Sequence, residues 1–179
     1  NLNSYTTYIC KWSIADGSRT ACNYSSVQYG IAIAHYDGEV FALQGGWTTS
    51  ASRKVVILSA SNLANTGKTV PYYSGISAYS YASNMDVDQA TGDVYIVYRD
   101  FNGIVRGYDR SSSGTYCASA SCYTQVYTYA RYSSSVTVYD GWVYTNGYYY
   151  SSYYGGMKKY PTGGGSVTTL WSQFNTAGY

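Results

Sequence analysis

Short runs of alternating apolar and polar residues cover most of the chain. Runs rich in Val, Ile, Tyr and Thr, such as Val55-Val56-Ile57-Leu58 and Val136-Thr137-Val138-Tyr139, are bounded by Gly, Asp, Asn and Ser. This pattern reads as β-strands between tight turns. Apolar positions at helical spacing are nearly absent, because Gly or Ser interrupts most windows. The expected class is all-β.

The runs also repeat. Ile33-Ala34-His35-Tyr36-Asp37-Gly38-Glu39-Val40-Phe41 lines up with Val87-Asp88-Gln89-Ala90-Thr91-Gly92-Asp93-Val94-Tyr95 and with Val136-Thr137-Val138-Tyr139-Asp140-Gly141-Trp142-Val143-Tyr144. Each is a strand, an Asp/Gly turn and a second strand opening on Val-aromatic. Asp37, Asp88 and Asp140 fall at equivalent turn positions. Val40, Val94 and Val143 set a period of about fifty residues, at the upper end for a propeller blade. A second register follows: runs at Tyr8-Ile9, Val55–Leu58, Ile104-Val105 and Met157-Lys158 lead into turns at Asp16-Gly17, Thr66-Gly67, Ser113-Gly114 and Gly163-Gly164-Gly165. A further strand then follows each turn. Four antiparallel strands per repeat is the plan of a β-propeller-like array, which two matching registers favour over a two-sheet sandwich. The expected division is a half blade over 1–28, blades over about 29–75, 76–130 and 131–172, and the start of a next strand at 173–179. That makes about three and a half four-stranded antiparallel blades in a single domain.

The stretch from Asn84 to Asp109, a strand followed by Asp-x-x-x-Gly-x-Val-Tyr and another strand, resembles the blades of NHL, YVTN and lactonase-like propellers. The resemblance implies an architecture. Lactonase-type propellers hold a divalent cation with Glu, Asn and Asp on the axis, whereas here the sole Glu, Glu39, falls at a hairpin turn. That departure argues against carrying over hydrolase activity. The first outer pair lacks an inner pair, and unpaired edges recruit partners. Three explanations follow: a piece of a longer propeller, two copies sharing a ring, or head-to-tail assembly.

The chain has 179 residues and a net charge of +2, with only 11% charged residues but 26 Tyr. Scattered Lys and Arg exclude a basic nucleic-acid binder, and no apolar run is long enough for membrane insertion. Cys10 and Cys22 flank the Asp16-Gly17 turn, and Cys117 and Cys122 flank a short Ala/Ser stretch. Neither spacing is that of a zinc site. Two local disulfides and a secreted, extracellular protein are expected, with Asn23-Tyr24-Ser25 a glycosylation sequon at Asn23.

Catalytic sets are scarce, and no cofactor or metal is expected. His35, the one His, lies in an alternating strand with no Gly-x-Ser-x-Gly elbow in the chain. The eight Asp include turn residues such as Asp37, Asp88 and Asp140, where Asp bonds backbone amides. Asp86-x-Asp88 with Asp93 lacks the Gly spacing and closing Glu of a calcium loop.

The aromatic residues carry more information. The run from Tyr148 to Tyr154 holds too many rings to bury them all, since alternate strand residues face opposite sides. Tyr suits recognition surfaces. The segments after each second strand mix aromatic and polar residues, and Trp47, Arg99, Asp100, Asn102, Asn146, Tyr149, Tyr150 and Tyr153 are the candidate binding residues. The leading expectation is a non-catalytic secreted propeller binding a glycan or polysaccharide. The alternative is a structural matrix, fibre or adhesive protein self-associating through open strand edges. A polysaccharide hydrolase or lyase comes third.

Overall fold

The computed structural model describes residues 7–27, 29–45, 54–71, 81–99, 104–116, 123–127, 135–149 and 154–174. Among these residues there are fourteen strands and no helix. A hairpin of β1 (Ile9–Trp12) and β2 (Arg19–Asn23) comes first. Three four-stranded antiparallel sheets follow, every hydrogen-bonded neighbour being a neighbour in sequence. The first holds β3 (Gly30–Tyr36), β4 (Glu39–Gln44), β5 (Lys54–Ser59) and β6 (Asn65–Pro71). The second holds β7 (Tyr81–Val87), β8 (Val94–Arg99), β9 (Ile104–Tyr108) and β10 (Tyr123–Tyr127). The third holds β11 (Val136–Tyr139), β12 (Trp142–Tyr149), β13 (Tyr154–Pro161) and β14 (Thr168–Phe174).

Local chemistry accounts for the turns, and it separates residues that look alike in sequence. Asp37-Gly38 and Asp140-Gly141 have φ of 45° and 73°, and of 50° and 73°. Paired left-handed residues match the twist of a two-residue hairpin, which Asp-Gly adopts at low cost. Asp88 follows β7 just as Asp37 follows β3, but it works differently. Its side chain accepts the Ala90 amide at 2.8 Å, and its own amide reaches Asp93 O at 2.9 Å across a longer loop. Thr66-Gly67 proves not to be the turn between β5 and β6. The chain reverses at Ser59–Ala64, where Leu63 N–H bonds Ser59 O and Asn62 Oδ1 caps Ala64 N–H. Gly67, at φ 78°, instead lies within β6, next to a register shift opposite Val56–Leu58.

Alternation along the middle strands sorts the core into layers. In β4, Phe41 and Leu43 point toward the second sheet, while Ala42 points toward the β1–β2 hairpin. In β8, Val94, Ile96 and Tyr98 face the first sheet, and Tyr95 and Val97 face the third. These strands are buried on both faces, which is why they read as nearly continuous apolar runs. On the hairpin side, Val27 packs against Ala42, Val56, Leu58 and Leu63. The first strands line up, β3 against β7 and β7 against β11.

Hydrogen bonds cross between the layers. Gln89 Nε2 donates to His35 O at 2.8 Å, joining the first two sheets. Val138 N–H donates to Asp86 Oδ2 at 2.8 Å, joining the second and third. Tyr95 OH donates to Thr162 O at 3.1 Å. Burial, then the charges of Asp93, Asp88 and Asp109, push that phenol above the usual tyrosine range, so it remains a donor. Replacing Asp86 by Ala strands the half-buried Val138 amide donor. Urea unfolding is expected to show a loss of about 1–3 kcal/mol. A loss within about 0.5 kcal/mol, the level of a surface change, would contradict a bridging role.

Candidate functional site

The three equivalent sheets run in the same strand order, so β4, β8 and β12 all end on one side of the array. Of the candidate binding residues, Arg99, Asn146 and Tyr149 lie in strands that end on this side. Arg99 closes β8 and Tyr149 closes β12, paired through the backbone with Tyr81 and Tyr154. Asn146, in β12, is exposed, and its Oδ1 accepts Ser135 N–H at 2.9 Å and Ser135 Oγ at 3.0 Å. Trp47, Asp100, Asn102, Tyr150 and Tyr153 lie outside the described residues.

The opposite side carries a charged cluster that sequence reading did not find. Glu39, at the start of β4, has a side chain only 11% exposed. Its Oε1 lies 2.6 Å from Lys68 Nζ of β6 and its Oε2 lies 3.0 Å from Arg110 Nη2, just past β9. Asp37 adds a longer contact to Arg110 Nη1 at 3.6 Å, and the guanidinium lies over the Tyr36 ring at 4.9 Å from its centre. Burial pulls the Arg110 pKa down, but its hydrogen bond to Glu39 and the neighbouring charges more than reverse this, so it lies above the usual arginine value. The Arg110 amide bonds Asp93 Oδ1 at 2.8 Å, and Tyr116 OH donates to Gly92 O at 2.7 Å. Gly92 is required here. A Cβ would come within 2.5 Å of Arg110 Cδ and 2.6 Å of Tyr36 Cε1, and φ is 80°.

Chemically the cluster is a clamp. Two cations hold the Glu39 carboxylate, and the pairing joins the first sheet to the second. Asp86, Asp88 and Asp93 are likewise engaged by backbone amides. Among the described residues no group of three His, Cys, Asp or Glu side chains is arranged to hold a metal ion. No sequence signal linked the clamp, since Glu39 and Arg110 lie 71 positions apart.

At the hairpin, Cys10 and Cys22 form a disulfide across directly paired positions of β1 and β2. Cys117 and Cys122 lie outside the described residues. The Ser18 amide, then the Ser13 and Ser18 hydroxyls, hold the Asp16 carboxyl at about 2, below its ordinary value of 3.8. A depressed carboxylate pKa supports the turn above the ordinary value, and that support fades as pH falls toward 2. Asn23 caps the following turn. Its Oδ1 accepts Ser25 and Ser26 amides, and its Nδ2 donates to Ser26 Oγ and, at 2.8 Å, to Leu63 O.

No family model and no curated protein matches the chain. Solved structures do. U3-55K matches with a TM-score of 0.63 at 12% identity, over 92% of this chain and 45% of that one. BamB from Moraxella catarrhalis matches at 0.52 and 15% identity, over 95% of this chain and 43% of that one. Sqt1 from Saccharomyces cerevisiae matches at 0.50 and 12% identity, over 81% and 35%. The fold is part of a β-propeller. The chain spans less than half the length of these propellers, and at such identities the likeness reaches the fold alone. Each four-stranded sheet is thus a blade, and the β1–β2 hairpin takes the place of an outer strand pair.

Proposed function

We propose that this partial propeller is a non-enzymatic, secreted binding protein that recognises glycans on the side where β4, β8 and β12 end. The carrying observation is topological. β4, β8 and β12 end on the same side, and the sequence there is rich in aromatic and polar residues: Trp47 follows β4, Arg99 closes β8 ahead of Asp100 and Asn102, and Asn146 and Tyr149 lie in β12 ahead of Tyr150 and Tyr153. Sugar CH faces stack on tyrosine and tryptophan rings, while Asn, Asp and Arg side chains bond the hydroxyls. The engagement of Glu39, Asp86, Asp88 and Asp93 in structural bonds supports a binding role over a hydrolytic one. The Cys10–Cys22 disulfide supports an oxidising, extracellular setting.

Screening the whole chain against an array of animal, plant and bacterial glycans tests this. A saturable ligand is expected, with Trp47→Ala and Tyr149→Ala each weakening it about tenfold, or ~1.4 kcal/mol. Silence across the array, or full binding by both variants, would overturn the reading. A structural, self-assembling role is the second reading, favoured by the exposed Ile33 and Tyr139 on the two end faces of the array. Sedimentation of the native protein as a single-chain species at high concentration would count against it.

A further inference from the structure

Asn23-Tyr24-Ser25 is the one Asn-x-Ser/Thr sequence in the chain, and its acceptor residue is turned inward. Tyr24 and Ser25 are exposed, whereas Asn23 is half-buried at the end of β2, where the hairpin meets the first blade. Its side chain makes four hydrogen bonds. Oδ1 accepts the amides of Ser25 at 3.2 Å and Ser26 at 2.8 Å. Nδ2 donates to Ser26 Oγ at 2.9 Å and, across the seam, to Leu63 O at 2.8 Å. A primary amide has two N–H donors, so both are in use. Leu63 is a fixed partner: its side chain is packed with Val27, Ala42, Val56 and Leu58, and its amide bonds Ser59 O. Ile9 and Ala21 of the hairpin pack against the same cluster, and Lys11 Nζ reaches Ala60 O at 3.1 Å. Asn23 therefore sits where the hairpin and the turn between β5 and β6 are held together.

We propose that Asn23 latches the β1–β2 hairpin to the first blade, and that attachment of an N-glycan at Asn23 and docking of the hairpin exclude each other. N-glycosylation joins the anomeric carbon of a lipid-linked glycosyl diphosphate to Nδ2, expelling the lipid diphosphate and one Nδ2 proton. The product amide keeps a single N–H and carries a sugar in place of the other. It cannot donate to both Ser26 Oγ and Leu63 O, and contacts of 2.9 and 2.8 Å leave no room for a sugar ring. Turning the side chain outward to clear the ring gives up the two accepted amides as well. A chain that folds first shields the sequon. A chain modified first carries a hairpin that cannot seat on Leu63. The glycan-binding reading plays no part in this, and either can fail alone.

Purified oligosaccharyltransferase with a lipid-linked donor, acting on the folded, oxidised protein, tests this by mass spectrometry. Asp16→Asn supplies an internal reference, since it completes a second sequon with Gly17 and Ser18 at the exposed tip of the hairpin. A synthetic peptide of residues 19–27 serves as the unfolded acceptor. The peptide and the tip should both be modified. Asn23 in the folded protein should react on the order of a hundredfold more slowly, since the hairpin must first open. In urea titrations Asn23→Ala should raise the unfolding equilibrium constant about tenfold. Ser25→Ala removes the sequon but none of the four bonds, in which Ser25 supplies only its backbone amide, and should change nothing. Modification of folded Asn23 as fast as the tip overturns the exclusion, as does a glycosylated protein with the urea midpoint of the unmodified one. An unmodified peptide would remove Asn23 as an acceptor and the proposal with it. An Asn23→Ala midpoint equal to that of the parent protein overturns the latch.

Discussion

Glu39→Ala is expected to lower the unfolding free energy by about 3–5 kcal/mol, the usual cost of removing one partner from a buried ion pair. The loss comes mainly through Arg110. Its side chain is only 14% exposed and would keep its charge with Asp37 as the remaining anion, 3.6 Å away. Lys68, 34% exposed, can turn toward water and should add little. Replacing both ends, as Glu39→Leu with Arg110→Met, removes the stranded charge. That double variant should be distinctly more stable than Glu39→Ala, a non-additivity expected of directly coupled residues. Urea titrations of the three proteins measure this, repeated at 1 M salt because partly buried pairs are screened less than surface ones. A cost below about 1 kcal/mol that vanishes in salt would make the clamp an ordinary surface pair.

Phe41→Ala should cost a similar amount, about 3–5 kcal/mol, for a different reason. The ring is fully buried between the first two blades and meets the Tyr116 ring edge-on, with centres 6.1 Å apart. Truncation removes apolar burial, leaves a cavity and breaks the ring pair, itself worth about 0.5–1.5 kcal/mol. Ile33→Ala, on the neighbouring strand but 60% exposed, should change stability by no more than about 0.5 kcal/mol. Urea midpoints should separate the two variants at nearly constant m-value. Similar midpoints for both would mean that the cluster around Phe41 is not the main adhesive between these blades.

The all-β class and the four-stranded repeat were legible because strand alternation and Asp-Gly turns are local signals. Val40, Val94 and Val143 do mark one register position in the three blades. Local signals also misled. Gly67 looked like a turn glycine because positive φ serves an irregular strand as well as a reversal, while Asn62 and Leu63 made the real turn with weaker residues. Asp88 shared its place in the repeat with Asp37, but four more loop residues gave it another conformation. The clamp was invisible for a simpler reason. Nothing in the surroundings of Glu39 along the chain announces Arg110, whose position depends on how one blade packs against the next. The aromatic segments were legible as chemistry, whereas the common side on which β4, β8 and β12 end follows from strand direction, a property of the fold rather than of any one segment.

Strictly sequential strand pairing has a consequence for how the chain acquires its structure. Each sheet closes through contacts between adjacent strands, with no strand waiting for a distant partner. Loop-closure entropy is therefore small for each hairpin within a sheet. During synthesis the first blade has all its strands once residue 71 has emerged, and Phe41 and Leu43 then wait for β7 and β8 to cover them. Growth from the ribosome would add blades one at a time, each new sheet burying the apolar face its predecessor had left open.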